Sequence, residues 1–107
     1  MTLQAIKNLL LTVTDNVYHY HAWEQPDKYI VWAEDSEGNS LHADNQKQVQ
    51  VIQGTIDYFT KDEGDINVEL IQKAMNDNEI SCRLNSIQYE EGTDYIHYEW
   101  VFEVEGL

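Results

Sequence analysis

The stretch that most constrains the fold is residues 94–105, where an apolar side chain stands at every second position from Ile96 to Val104. One set of alternate positions is apolar and comprises Ile96, Tyr98, Trp100, Phe102 and Val104. The other set is mostly polar or acidic and comprises Tyr95, His97, Glu99, Val101, Glu103 and Glu105. Because successive side chains of a strand point to opposite faces, the pattern predicts a β-strand with one core-facing side and one hydrated acidic side.

The residues just upstream predict a partner for this strand. Residues 80–90 can pair with it across a turn at residues 91–94, which contains Gly92. The chain should therefore end in a long β-hairpin. The only cysteine, Cys82, is in phase with Ile80 and Leu84, which predicts a small core residue. A single cysteine rules out an internal disulfide framework and fits a reducing compartment.

Two helices are predicted from apolar residues at helical spacing. Thr2 can cap the first helix, which should run to about Val13. The second helix should follow the acidic residues near position 62 and run to about Asn76. Its predicted buried side consists of Ile66, Leu70, Ile71 and Ala74.

The middle of the chain predicts further strands separated by polar turns. The predicted strands are 17–23, 29–34, 40–44 and 48–60. In the last of these the apolar phase changes beside Gly54, which indicates a bulge or bend there. The order of helix, three or four strands, helix and two strands predicts one α+β domain over residues 1–107. We expect an antiparallel sheet of about five to six strands with both helices packed on one face.

Charge excludes several functions. Twenty Asp and Glu residues face six Lys and Arg residues, so the formal net charge is −14. This surface repels nucleic acid and anionic lipid, and a nucleic-acid groove binder would need the opposite sign. No apolar run approaches the length of a membrane span, and the N-terminus lacks the features of a signal peptide. We therefore expect no membrane association.

Candidate chemistry is sparse. His19 and His21 lie two residues apart, so a strand would point both to one side, where they could hold zinc with a third ligand from elsewhere. The other histidines, His42 and His97, have no predicted place near them. No phosphate loop, nucleophile elbow or zinc-protease motif is present. We predict no catalytic residue, cofactor or metal site, and an enzyme ranks last among the functions considered.

Aromatic residues concentrate in the two strands that follow the first helix. If some of these rings point outward, they can anchor a protein partner, because Tyr and Trp are enriched at interface hot spots. Strand alternation should bury about half of them. The predicted interface aromatics are Tyr18, Tyr20, Trp23 and Trp32.

Three stretches carry a resemblance to a known family: residues 29–35 (YIVWAED), 53–60 (QGTIDYFT) and 85–100 (NSIQYEEGTDYIHYEW). In this order and spacing the chain resembles the small tail-terminator and tail-completion proteins of the neck of long-tailed phages and prophages of Gram-positive bacteria. The resemblance covers nearly the whole chain. It lies in strand sequences, so it implies a fold and a structural role and no active site.

The resemblance implies a ring of identical subunits, commonly a hexamer, that caps the tail tube and offers a surface to the head connector. Its partners would be further copies of itself, the tail-tube protein and the head-completion protein. The protein would be assembled in the host cytoplasm and end in the virion neck, with DNA passing through the ring without specific binding. We hypothesise that Glu99, Glu103 and Glu105 form an acidic wall that DNA slides past. The alternative is that these acids only keep the monomer soluble.

Other functions stay open on the sequence alone. An acidic inhibitor that mimics DNA ranks second and predicts carboxylates in rows spaced like phosphates. Another head-completion or minor capsid protein of a phage would resemble the same family. A small metal-dependent enzyme built around His19 and His21 would require tight zinc binding and a pocket with perturbed acids.

Overall fold

A computed structural model of the protein describes residues 2–37 and 50–105. Two helices and five strands follow one another as α1 (Leu3–Leu11), β1 (Val17–His19), β2 (Lys28–Glu37), β3 (Val51–Thr60), α2 (Ile66–Asp77), β4 (Ser81–Tyr89) and β5 (Ile96–Glu105). This order confirms the predicted α+β class. The predicted strand at residues 40–44 lies outside the described residues.

The five strands form one sheet in the order β1-β2-β3-β5-β4. Neighbouring strands are antiparallel except at one edge, where β1 runs parallel to β2. The sequence predicted a first strand reaching Trp23, but β1 ends at His19. Tyr20 turns the chain with a φ of 70°, and its amide donates to the carbonyl of Trp32 at 2.9 Å. Residues 20–27 then return the chain to the other end of β2, as a parallel pair requires.

The predicted C-terminal hairpin is confirmed. β4 and β5 pair antiparallel up to Tyr89 and Ile96, next to the turn. The amide of Glu90 donates to the carbonyl of Tyr95 at 2.8 Å, which closes the turn. Gly92 adopts a φ of 93°, a conformation that L side chains rarely tolerate.

The predicted irregularity near Gly54 exists, but it lies on the neighbouring strand. β3 pairs with β5 without a break, and the extra residue is in β2 between Glu34 and Ser36. Gly54 is needed for close packing. A Cβ at this position would lie 2.3 Å from the carbonyl oxygen of Ala33 and 2.6 Å from the ring of Phe102. The strands and Phe102 can approach because this side chain is missing.

Both helices cover the same face of the sheet, as predicted, and the core lies between them and the strands. Its fully buried members include Ile6, Leu10, Ile30, Ile56, Tyr58, Ile71, Met75, Trp100 and Phe102. Thr2 caps α1, and its hydroxyl accepts from the amide of Ala5. Along β3 and β5 the buried residues alternate with less buried ones, which confirms the predicted two-sided character of the last strand.

The predicted buried side of α2 is partly wrong. Ile66 is 64% exposed and Leu70 is 40% exposed, whereas Ile71 and Met75 are fully buried. The rotation of α2 about its own axis is set by its N-cap residue, Asp65. Asp65 is buried and its carboxylate accepts hydrogen bonds from the sheet, so the N-terminal end of the helix lies against the sheet.

Candidate interaction surfaces

A groove lies at the β1 edge of the sheet, between α1 and β1, with a cavity volume of about 420 Å³. We call it the β1 groove. Its lining residues are Leu3, Gln4, Lys7, Val17, Tyr18, His19, Trp23 and Trp32. The mixture of aromatic rings, two aliphatic side chains and one ammonium group is typical of a site that receives part of another molecule.

Stacked rings build one wall of the β1 groove. The His19 ring stacks on Trp32 at 3.9 Å between centroids and on Tyr20 at 4.0 Å. His19 Nε2 lies 2.6 Å from Glu34 Oε1, which orients the imidazole. Burial would raise the pKa of Glu34, but the hydrogen bonds from His19, its own backbone and Tyr20 lower it overall. Glu34 is thus kept ionised and paired beside the groove.

The predicted interface aromatics divide between the surface and the core. Trp23 is 74% exposed and Tyr20 is 60% exposed, so both can reach a partner. Tyr18 is half-buried, with its ring edge-on to Trp23 and Tyr29. Trp32 belongs chiefly to the core, and it reaches the surface only as part of the groove lining. It pairs in register with Ile56 on the helix-covered side and is only 4% exposed.

The opposite edge of the sheet carries a second apolar surface. Leu84, Ile87 and Tyr89 of β4 lie in register with Trp100, Tyr98 and Ile96 of β5, and therefore on the helix side of the sheet. They are nevertheless exposed, because α2 reaches β4 at its start, near Cys82, and leaves the rest of this edge uncovered. We call these three residues the β4 ledge. The sequence did not identify it, since a strand pattern cannot show which alternate residues a helix will cover.

One side chain of α2 bonds to both strands of the C-terminal hairpin. Gln72 accepts from the indole Nε1 of Trp100 at 3.0 Å and donates to the carbonyl of Cys82 at 3.4 Å.

The Cys82 thiol is partly buried and packs against the core, close to its predicted role. Burial raises the pKa of this thiol to about 12.

The face of the sheet opposite the helices, which we call the open face, carries the predicted acidic residues. Glu99, Glu103 and Glu105 lie on it along β5. Glu99 accepts from Asn85 Nδ2 at 2.9 Å, and Glu105 is exposed. Their direct neighbours on β3 are Asp57, Gln53 and Val51. The acids therefore form a single row beside a mostly neutral strand.

The other half of the open face is aromatic, which the sequence analysis did not foresee. Tyr95, assigned to the hydrated side, is only 6% exposed. Its ring is edge-on to Tyr29 and Phe59, and its hydroxyl donates to the carbonyls of Gln25 and Pro26 at 2.9 and 2.7 Å. The loop at residues 20–27 thus folds over this end of the sheet and buries the ring.

His97 joins the aromatic and acidic halves of the open face. Its ring stacks on Phe59 at 4.3 Å, and its Nε2 lies 2.7 Å from Asp57 Oδ1. The hydrogen bond that His97 makes to Asp57 raises the pKa of His97, against the effect of burial, and the charges of Asp57, Glu90 and Glu99 raise it further. The acidic surroundings therefore favour the protonated form of this imidazole.

The structure separates the histidines considered as zinc ligands. His19 pairs with Glu34, whereas His21 lies edge-on to Trp23 with 5.3 Å between centroids. Residue 42 lies outside the described ranges, and His97 is on the open face. Within residues 2–37 and 50–105, no group of three or more His, Cys, Asp or Glu side chains could hold a metal ion. Over the same ranges no helix is long and apolar enough to cross a membrane.

Comparison with known proteins gives a likeness in fold. No protein-family model and no curated protein matches the chain. The fold is similar to that of a chain in the solved structure titled "Virion of native gene transfer agent (GTA) particle", with a TM-score of 0.51 and 17% identity. The match covers 97% of this chain and 95% of that chain. The whole α+β fold is therefore shared with a chain of a virion particle.

Proposed function

We propose that this protein is a structural component of a phage-like particle, where it forms a ring that caps the tail tube and joins it to the head connector. The observation that carries the proposal is the fold likeness to a chain of a gene transfer agent virion, which extends over nearly the full length of both chains.

The sequence resemblance supports the same role from a different direction. Its three stretches correspond to β2, to β3 and to the β4–β5 hairpin, which are neighbours in the sheet. The proposal gives the protein three partners: further copies of itself in a ring, commonly a hexamer, the tail-tube protein and the head-completion protein. It also places the protein in the virion neck, after assembly in the bacterial host.

The acidic row on the open face gives the ring its proposed inner wall. Glu99, Glu103 and Glu105 would face the lumen and repel phosphates, so that DNA passes without adhering. The test is a variant with Glu99→Lys and Glu103→Lys, scored for the amount of DNA that the particles deliver. We expect delivery to fall, while normal DNA passage would contradict the lumen assignment. A matched variant with Gln53→Lys and Thr55→Lys places two cations on the adjacent strand without removing an acid.

The geometry favours this role over a DNA mimic. A mimic needs carboxylates in two rows spaced like phosphates, and the open face carries one row along β5. On the neighbouring β4 the residues of this face are Ser81, Arg83, Ser86 and Gln88, which are neutral or basic. A basic nuclease would meet Arg83 where the second row of acids should be.

Deletion of the gene in its host tests the proposed position in the particle. Electron microscopy of the lysate is expected to show filled heads separated from tails, with tails of irregular length, because nothing stops tube growth. Heads that lose their DNA beside tails of normal length would instead favour the head-completion alternative. Intact, DNA-delivering particles would contradict a structural role. Expression of the wild-type gene from a plasmid provides the control.

A further inference from the structure

The two apolar surfaces that the fold leaves uncovered lie at opposite edges of the same sheet. The β1 groove is at one end of the strand order and the β4 ledge is at the other. The ledge and the Val17 wall of the groove are on the helix side, because Leu84, Ile87 and Val17 share that side in register. Tyr18, which also lines the groove, is in the opposite phase. Exposed apolar patches of this kind mark interaction sites.

The two surfaces differ in shape. The β1 groove is a cavity of about 420 Å³ with Trp23 at its edge, whereas the β4 ledge presents side chains from an edge strand. A groove on one edge and a ledge on the other match a head-to-tail contact, which generates rings when its rotation closes.

The two surfaces also differ in charge. Lys7 brings an exposed ammonium to the β1 groove, and Glu34 beside it is already paired with His19. The β4 ledge is bordered by acids. Tyr89 donates its hydroxyl to Asp94 Oδ1 at 2.7 Å. Glu69 is an exposed acid of α2 three residues before Gln72, which bonds to the β4 backbone.

We propose that the β4 ledge of one copy of this chain docks in the β1 groove of the next copy, with Lys7 facing the acids Glu69 and Asp94. This inference rests on the ring in the proposed function and specifies how its subunits join. In a chain with a net charge of −14, identical copies repel each other over most of their surface. Pairing the groove that carries an ammonium with the acid-bordered ledge places opposite charges together at the contact.

A mixture of two variants tests the head-to-tail arrangement. Trp23→Ala damages the groove and leaves the ledge intact, and Ile87→Asp does the reverse. Both side chains are more than half exposed, so the fold should be retained, and circular dichroism checks this. The ¹⁵N-labelled Ile87→Asp protein is titrated with unlabelled Trp23→Ala protein and followed by NMR.

We expect saturable shifts in groove residues such as Lys7 and His19 of the labelled protein. The same labelled protein titrated with unlabelled Ile87→Asp protein should show none, because no intact ledge is present. Absence of shifts in the mixture overturns the inference, as do equal shifts in the control, which would indicate a two-fold contact. Either result would count against the head-to-tail contact only. The structural role in the particle is tested separately by the gene deletion, so failure of the contact and failure of the role can be told apart.

Affinity changes give the second test. The labelled protein can also carry Trp23→Ala as a second substitution. Its binding to the unlabelled protein with an intact ledge should then be about thirtyfold weaker, as expected for the loss of a central aromatic anchor. Lys7→Glu in the labelled protein should weaken it about threefold, as expected for a charge pair at the rim. Glu69→Lys in the ledge-bearing protein should restore the affinity of Lys7→Glu. A further loss with both substitutions would contradict the assigned charge pair.

Discussion

The two faces of the sheet use the same strands in different ways. The helix side is packed with aliphatic and aromatic residues, and its buried carboxylate, Asp65, accepts from Tyr58, Thr60 and the amide of Asn67 at 2.6 to 2.9 Å. The open face combines an aromatic half with an acidic row and holds His97 between them. Stability should thus come chiefly from one face, while the other can carry charge for function. Substitutions on each face test this division.

The largest expected effect is on the helix side. Trp100→Ala removes a side chain that is 1% exposed and should lower the free energy of unfolding by about 4 kcal/mol. The next residue, Val101, points to the open face and is only half-buried, so Val101→Ala should cost less than about 1 kcal/mol. Urea unfolding followed by fluorescence and circular dichroism measures both. Equal losses would show that the two faces contribute alike.

The buried carboxylate at the start of α2 should have the next largest effect. Asp65→Asn keeps a residue able to cap the helix but removes a charged acceptor of two hydroxyl groups, and should cost about 2 kcal/mol at neutral pH. Asp62→Asn is the matched control. It removes an exposed partner of Lys28 and should cost less than about 0.5 kcal/mol.

The buried Asp65 carboxylate also predicts that the stability of the protein depends on pH. Burial would raise the pKa of Asp65, but hydrogen bonds from Tyr58, the Asn67 amide and Thr60, with the charge of Lys28, lower it overall. The stabilisation by the ionised Asp65 carboxylate is therefore present above the ordinary carboxyl pKa of about 4, and it is lost as pH falls through the lower folded-state pKa. The stability difference between wild type and Asp65→Asn should shrink in that acidic range. A difference that grew there would contradict the ionised cap.

On the open face, the hydroxyl of Tyr95 should have a moderate effect. Tyr95→Phe keeps the ring among its aromatic neighbours but leaves the carbonyls of Gln25 and Pro26 without this donor, and should cost about 1 kcal/mol. Hydrogen exchange of residues 20–27 should accelerate as well. Tyr89→Phe is the control, since its hydroxyl bonds to exposed Asp94 and its removal should leave that loop unchanged.

The smallest expected effect is a pH dependence on the open face. The pKa of His97 is raised, first by its hydrogen bond to Asp57. Protonated His97 therefore stabilises the fold fully below the ordinary pKa of about 6.5, and this stabilisation is lost as pH rises through the folded-state pKa. His97→Gln should therefore remove a decline in stability that begins as pH rises above about 6.5. Asp57→Asn should remove the same decline. Urea midpoints measured across this range would contradict the assignment if all three proteins followed one curve.

Much of the fold was predictable because its signals are local. Alternation in residues 94–105 identified β5 and its two faces, and Thr2 identified the start of α1. The errors occurred where a distant contact decides the outcome. Ile66 was assigned to the core because the spacing allowed it, but the bonds from Asp65 to the sheet rotate α2 so that Ile66 is exposed.

The surfaces were less predictable than the fold. Trp23 and Tyr20 were singled out as interface aromatics, and both are exposed. Trp32 was included with them, because a run of aromatic residues does not show which ring the neighbouring strand will bury. Tyr95 was assigned to the hydrated side, and its burial depends on a loop some seventy residues earlier in the chain.

The sequence by itself determined the class of fold, the terminal hairpin and the acidic row, because a two-residue period and a capping threonine act within a few residues. Only the tertiary structure decided the strand order, the parallel β1–β2 pair and the rotation of α2. It also decided that α2 leaves the β4 ledge uncovered while α1 and β1 enclose a groove at the other edge. These features depend on contacts between segments far apart in the chain, and periodicity carries no information about such contacts.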